Sequence, residues 1–426
     1  MKLLIISFLF PPSHNVGALR VGKTVKHLLA LGYDVRVITA SNSLYPLGLP
    51  LEIPAERVVY TKWIDVNNPF YWIKDEFNDK GVDSTKYNAD IASFFYTALR
   101  DSYKFCFHRP DSVIGWLPFA LRAGDALFKS WIPDVIYASA APYTSLVVAK
   151  ILSRRYGIPW VAELRDLWAD NAYKRSDFIG QRIERNTLLS ASALVTVSDG
   201  LCCTLQTKYQ QPCHVVRNAF DSEDMVGLSQ IDLSKKTVNI IYTGTVYKGM
   251  QNPSILFKAV SQSSILKSKI SISFYGGNHD WIKYSADSYG IGENVRLYPV
   301  ISRDKSLGLQ KSSDLLLLLT WNNPAEQGFI PAKLFEYIGI GKPIIAVGDY
   351  YDEVTKIICD NSFGLAFNDQ DTLAEYLLHF IENPHQLSHE AVINREKFTR
   401  IHQVEKLSEI FKSVVEPDII LNQKVR

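Results

Sequence analysis

Three ionisable side chains near residue 330 have the types and spacing to handle a phosphate and a sugar. They stand in the run "EQGFIPAKLFEYIGIGKPIIAVGD" as Glu326, Lys333 and Glu336. Leu334, Phe335, Tyr337 and Ile338 follow a helical apolar pattern that ends at Gly-Lys-Pro, and "PIIAV" then has the composition of a buried strand. A helix starting here would aim unsatisfied N–H groups and partial positive charge at a ligand, and Lys333 would add a full charge. Glu336 cannot serve the same phosphate, because like charges repel. It can accept hydrogen bonds from hydroxyls, as an acid does on ribose in other nucleotide sites. Glu326 would face a second hydroxylated group. A second turn, "YTGTVYKG", adds Gly244, Thr245 and Lys248. Two lysines at strand-to-helix turns, flanked by acids, outline a site for a diphosphate that carries a sugar. Taken singly, Glu336 reads equally as an exposed helix acid and Lys333 as a surface lysine.

These residues need a frame, and the chain supplies two similar ones. "KLLIISFLF", a helical pattern from Leu19 to Leu31 and "DVRVITA" make a βαβ unit, so a parallel sheet begins the chain. Residues 41–130 are less regular and rich in aromatics, and read as an insertion with two or three helices. "DVIYASA" and "PWVAEL" flank a helix from Tyr143 to Tyr156; "ALVTVS", helix 199–209 and "HVVRN" close this half. The polar stretch "AFDSEDMVGLSQIDLSKKT" reads as a linker. Strands "VNIIYTG", "ISISFYGG", "VRLYPV", "DLLLLLT", "PIIAV" and "GLAF" then alternate with helices 251–264, 279–290, 303–312 and 351–359, and two helices close the chain. The expectation is α/β, with two successive Rossmann-like parallel-sheet domains, 1–218 and 219–402. Ligands in such sheets lie beyond the carboxyl ends of the strands, and two sheets facing one another would enclose a cleft.

Composition removes several alternatives. A length of 426 residues exceeds one ordinary core. A net charge of +2, from 46 basic and 44 acidic residues, argues against a nucleic-acid partner. Five cysteines without C-x-x-C and nine histidines without ligand spacing give no disulfide framework or metal set, and point to a reducing cytosol. The opening apolar run could be read as a leader, but Pro11-Pro12 ends it and a helix and strand follow directly; a buried strand is the better reading. No run approaches the roughly 18 apolar residues a membrane-spanning helix needs. The first turn holds a single glycine, Gly17, so the dinucleotide fingerprint fails; no P-loop and no nucleophile elbow occur either. A D-x-D in "NDQDT" reads as a helix cap by Asp371 or Thr372, with Thr372 and Glu375 at capping-box spacing, rather than as a metal site. No metal and no cofactor is expected.

The chain is similar over nearly its whole length to the GT-B retaining glycosyltransferases, family four in particular. The opening strand, glycine loop and a helix end, "LLALGYDV", that resembles the family's "L-x-x-x-G-H-x-V" carry part of the likeness, as do "VAELRDLWAD", "ALVTVSDGL" and "VVRNAFD". "KLFEYIGIGKPIIAV", which resembles the donor signature, is the most specific. The resemblance implies an N-terminal acceptor domain, a C-terminal nucleotide-sugar domain that works without metal, and a final segment, 403–426, returning toward the first domain. It implies that Glu336 holds ribose hydroxyls, Lys248 the diphosphate and Glu326 the transferred sugar. Gly17 would let the first loop approach the phosphates, and Val300 and Ile301 would meet the base through their backbone. Gly244, Thr245 and Leu334 would line the same turns. The chain departs from the family at several points. Glu326 and Glu336 are spaced E-x9-E instead of E-x7-E, with Gly328 at the usual first position. Thr245 stands where an arginine is usual, so Lys333 would supply the missing charge. Ala138 to Ala141 lack the usual histidine, leaving Arg165 or Asp166 for the acceptor side.

The expectation is transfer of a sugar from a nucleoside diphosphate, UDP first, to a hydroxyl of a carbohydrate or lipid-linked acceptor. The family implies front-face attack with the departing phosphate assisting, and Lys248, Lys333 and Glu326 as the catalytic groups. A cytoplasmic setting in bacterial polysaccharide synthesis, peripheral to the inner face of the membrane, fits such acceptors. A non-hydrolysing sugar-nucleotide epimerase and a silent nucleotide-sugar-binding subunit are the competing readings. "DSVIGWLPFALRAGDALFKSW" reads either as a core-facing helix or as a basic amphipathic one touching lipid, the former preferred.

Overall fold

A computed structural model describes residues 1–41, 44–66, 103, 108–169, 178–233, 236–277, 280–321, 329–348 and 352–416. The chain divides into two compact units. One holds residues 1–197, 202–215 and those from Lys406 onward; the other holds 198–201 and 216–405.

The first unit is built on strands β1 (Lys2–Ile6), β2 (Asp34–Ala40), β3 (Val58–Thr61), β4 (Val135–Ala140), β5 (Trp160–Leu164), β6 (Ala193–Thr196) and β7 (Cys213–Val215). They form a seven-stranded sheet in the order β3-β2-β1-β4-β5-β6-β7, and its neighbours pair in parallel. The opening apolar run is thus an interior strand, between β2 and β4; Leu3 to Ile6 are fully buried because a parallel sheet is covered on both faces. Its helices are α1 (Val16–Ala30), α2 (Leu117–Leu127), α3 (Thr144–Tyr156), α4 (Phe178–Leu188) and most of α5 (Asp199–Tyr209). Asn15 caps α1, its side chain accepting from the Ala18 N–H at 2.8 Å.

The segment read as a purely helical insertion contains β3, four residues too short to show a period. The aromatic stretch around Trp116 takes the core-facing reading. Trp116, Leu127, Phe128 and Trp131 are buried in the main cluster, and Leu117 and Leu121 pack against it. The other expected helices of the insertion, and residues 67–102 and 104–107 generally, lie outside the described residues.

The second unit holds β8 (Val238–Thr243), β9 (Ile270–Tyr275), β10 (Val295–Tyr298), β11 (Leu315–Leu319), β12 (Ile344–Val347) and β13 (Gly364–Phe367), in the order β10-β9-β8-β11-β12-β13. Pairing is again parallel. Its helices are α6 (Ser254–Ser261), α7 (Ser264–Lys269), α8 (Asp280–Ser288), α9 (Arg303–Ser312), α10 (Ala332–Ile340), α11 (Glu353–Asp360), α12 (Gln370–Glu382), α13 (His389–Asn394) and the start of α14 (Arg400–Val415). The helix expected over 251–264 ends early, and Ser263 caps a new one by accepting from the Ile265 N–H at 3.2 Å. Among the described residues three α-helices, not two, follow β13.

The end of α14 belongs to the first unit. There Tyr33 and Ser408 share a hydroxyl hydrogen bond, and Phe411 meets the Tyr137 ring edge-on at 5.4 Å. Among the described residues no helix is long and apolar enough to cross a membrane.

Candidate functional site

Strand β8 delivers Thr243 to its carboxyl end, where the chain turns at Gly244 with φ +111°. L side chains rarely adopt that backbone conformation, so the turn requires glycine. Helix α10 begins nearby, after Pro331, and places Lys333 in its first turn. The Lys333 ammonium lies 3.7 Å from the centre of the Tyr242 ring. A Cβ added at Gly244 would stand 3.1 Å from Lys333 Nζ, so glycine also leaves room for the ammonium. Burial pulls the Lys333 pKa from 10.5 down to about 7, with Glu336 opposing it; the Tyr242 ring face favours the charged form as well.

Glu336 is one turn further along α10 with its side chain 30% exposed. Burial raises its pKa; the Arg303 charge, the neighbouring Gln310 amide and Lys333 pull it back, while Asp224 pushes it up. Arg303 Nε stands 3.6 Å from Glu336 Oε1, and Arg303 Nη2 bonds Asp224 Oδ2 at 3.0 Å. Behind this pair, fully buried Gln310 donates through Nε2 to Thr243 Oγ1 at 3.0 Å and to Ser306 Oγ at 3.1 Å. The Thr243 N–H donates to the Tyr337 hydroxyl at 3.3 Å, and burial pushes that phenol up to about 12. The end of β8, the face of α9 and the first turns of α10 are thus one hydrogen-bonded block. Such a block fixes side-chain direction before any ligand arrives.

The turn after Gly244 is pinned from below. Gln251 donates to the Leu319 carbonyl at 2.9 Å and accepts from the Tyr247 N–H at 3.2 Å. Tyr247 stacks on Trp321 with centroids 5.5 Å apart. Thr245 is exposed, and its carbonyl accepts from the Tyr242 hydroxyl at 3.0 Å. Lys248 is exposed on the same turn. After β10, Val300 is 76% exposed, while Ile301 packs with Tyr275, Tyr298 and Leu309. Arg303, two residues later, joins this loop to Glu336.

The structure therefore brings Gly244, Lys333 and Glu336 together. It turns the Leu334 side chain fully into the core, and the Leu334 N–H donates to the Pro331 carbonyl at 3.0 Å, so that residue is part of the frame. Glu326 lies outside the described residues. Gly17, Arg165 and Asp166 belong to the first unit. There the Arg165 guanidinium donates to the Ala140 and Ala141 carbonyls, and a Cβ on Gly17 would come within 2.2 Å of its Nη1. Gly17 is small in order to admit an anchored arginine, a physical reason other than close approach to a phosphate.

The D-x-D caps a helix, with a correction: the cap is Asp369, not Asp371 or Thr372. Its side chain accepts from the Asp371 and Thr372 N–H groups at 3.2 and 2.8 Å. Among the described residues no group of three or more His, Cys, Asp or Glu side chains is placed to hold a metal ion.

Sequence reasoning missed Arg303, Gln310, Tyr242 and Tyr337. The available signal was a polar stripe on α9, Arg303-Ser306-Gln310, at i, i+3 and i+7 on one helix face. Gln310 sits on that stripe between the buried Leu307 and Leu309, where a polar side chain needs a reason.

Residues 17–219 match the family model described as the glycosyl transferase 4-like domain, and residues 228–398 match the glycosyl transferases group 1 model. No curated protein matches the sequence. Among solved structures, a sucrose-phosphate synthase from Thermosynechococcus elongatus superposes with a TM-score of 0.63 at 12% identity, covering 98% of this chain and 100% of its own. Anabaena Alr3699/HepE in complex with UDP gives a TM-score of 0.62 at 14% identity, covering 97% and 100%. The lipopolysaccharide outer core galactosyltransferase WaaB gives 0.58 at 14%, covering 97% and 99%.

Proposed function

We propose, because the chain belongs to the glycosyltransferases of GT-B fold that join a glycosyl transferase 4-like domain to a group 1 domain, that it moves a sugar from a UDP-sugar to a hydroxyl of a carbohydrate or lipid-linked acceptor, with retention and without a metal ion. The observation carrying this reading is the pair Lys333 and Glu336, one turn apart on α10, with Lys333 packed over Tyr242 beside Gly244. A partly buried lysine next to an acid suits a ligand that presents phosphate to one and hydroxyls to the other.

In this reading the diphosphate lies at the Gly244 turn and the first turn of α10, where the helix dipole favours negative charge. Lys333 meets it from the block, and Lys248 from the exposed turn. Glu336 accepts from the ribose hydroxyls. The backbone at Val300 and Ile301 meets the base, and Glu326 the sugar. Reaction breaks the bond between the anomeric carbon and the β-phosphate oxygen. The acceptor oxygen bonds to the same face of that carbon, and its proton passes to the departing phosphate. Lys333 and Lys248 balance the charge that develops on the leaving group, as preorganised groups do. The first unit, with Arg165 and Asp166, takes the acceptor. A cytoplasmic enzyme building a polysaccharide or glycoconjugate fits this chemistry, and UDP bound to HepE supports the choice of base.

A nucleotide panel tests the donor class: UDP is expected to raise the unfolding temperature more than ADP or GDP, and activity with a UDP-sugar is expected to survive EDTA. Dialysed enzyme that is inert until magnesium or manganese returns would overturn the metal-free reading. Glu336→Ala is expected to weaken UDP by about 1.5–3 kcal/mol, the range for a charged hydrogen-bond acceptor. Unchanged calorimetric affinity in a folded variant would remove Glu336 from the site.

A further inference from the structure

We propose that Arg303 is a positioning residue for donor recognition: it holds the Glu336 carboxylate ionised and aimed, so that one helix sets both the loop at the base and the acid at the ribose. The inference rests on the reading that Glu336 receives ribose hydroxyls.

The geometry is specific. Arg303 and Gln310 stand seven residues apart on α9, hence on one face. Arg303 Nε approaches Glu336 Oε1 only to 3.6 Å and makes no hydrogen bond there, although the nitrogen is buried. Its Nη2 is meanwhile committed to Asp224. The guanidinium is therefore fixed by Asp224 while its charge faces Glu336 without occupying a carboxylate lone pair. A closed, bidentate pair would consume the acid; this one leaves both carboxylate oxygens able to accept from hydroxyls. Arg303 also begins α9 two residues after Ile301, so any shift of the base-side loop is felt at the acid.

Among the described residues, the charged and titratable groups around Glu336 are Arg303 of α9, Lys333 and Tyr337 of its own helix, and Asp224 of the 3-10 turn Ser222–Met225. Burial raises the acid's pKa, and Arg303 is the leading influence against it. Without Arg303 the carboxyl would gain its proton at higher pH. A protonated acid loses the charge that makes it a strong acceptor.

The test compares UDP with 2′,3′-dideoxy-UDP on the full chain from pH 6 to 9. Both probes share the diphosphate, so titration of Lys333 cancels in the ratio of their affinities. Wild type is expected to prefer UDP by about 10- to 100-fold throughout this range, the value of a charged hydrogen bond expressed as affinity. In Arg303→Gln the preference should be smallest at the acid end of the range and return as pH rises; Arg303→Lys should restore most of it. If Arg303→Gln unfolds because Asp224 is left unpaired, the double variant Arg303→Gln/Asp224→Asn removes both charges, and the midpoint still rises, though by less than in the single variant, because Arg303 is the larger influence of the two. An Arg303→Gln variant with the wild-type preference at every pH would overturn the role of Arg303 while leaving the donor reading intact. Wild type that fails to discriminate the two probes would instead sink the ribose role of Glu336, and this inference with it.

Discussion

Lys333→Met is expected to lower turnover by about 100- to 1000-fold, the usual cost of removing a donor aimed at developing charge, and to raise the stability of the free protein at pH 6. The two effects have one cause. The ammonium is held largely out of water against the Tyr242 ring, with its pKa pulled from 10.5 to about 7. In the unfolded chain the lysine keeps its ordinary pKa. Below pH 7 both states carry the proton, and folding bears the full cost of a poorly solvated charge. Between pH 7 and 10.5 the unfolded state binds more protons, so the wild type gains stability as pH rises. Methionine bears no such cost and packs well on an aromatic face. The stability advantage of Lys333→Met should therefore be largest near pH 6 and fade toward pH 10. Binding of UDP at pH 8 should take up a proton in the wild type and none in the variant, which calorimetry in buffers of different ionisation enthalpy reads directly. A variant that is destabilised equally at both pH values would make Lys333 a structural cation; full turnover at pH 7 would remove it from catalysis.

Lys333 and Glu336 were legible in the sequence because the apolar period of Leu334, Phe335, Tyr337 and Ile338 fixes which way α10 faces. A lysine and an acid three residues apart then share the remaining side. The parallel sheets were legible for a similar reason: runs such as Leu315–Leu319 are apolar on both faces and fit only a covered strand. What stayed hidden depends on contacts between elements distant in sequence. Gln310 looks like an ordinary helix residue until Thr243 is placed beside it across 67 positions. Arg303 looks like an exposed first-turn cation until Asp224 and Glu336 converge on it. Gly17 was read as room for a phosphate, whereas the side chain it admits, Arg165, comes from the far end of β5. Local rules also erred by small steps: both aspartates of the D-x-D can cap, and only the backbone path decides that Asp369 does. The strand β3 escaped because four residues cannot display a period.

The first unit carries the second large effect. Glu163 is fully buried in β5 and receives Arg20 Nε at 3.0 Å and Nη2 at 2.5 Å, with the Ser139 hydroxyl on its other oxygen. Burial alone would raise its pKa, yet Arg20, with Arg165 and the Ser139 hydroxyl, outweighs burial and holds the carboxyl at about 2, well below 4.5. That depression is worth roughly 3 kcal/mol of stability above pH 4.5, at 1.36 kcal/mol per pKa unit, and it is lost as pH falls toward 2. Glu163→Ala is expected to cost about 3–5 kcal/mol at pH 7, because it leaves the Arg20 guanidinium buried without its anion. The double variant Arg20→Met/Glu163→Leu should recover most of the loss, since well-packed apolar residues can replace a buried pair without penalty. It should also flatten the acid limb of the stability curve between pH 4.5 and 2. Arg20 follows Gly17 by one turn of α1 and Glu163 lies two residues before Arg165 at the end of β5, so the same pair sets where Arg165, proposed for the acceptor side, stands. Turnover in the double variant should accordingly stay low after stability returns. Denaturant unfolding that shows Glu163→Ala within 1 kcal/mol of wild type would mean that Arg20 finds solvent or another partner, and would withdraw the pair as the fixed point of this unit.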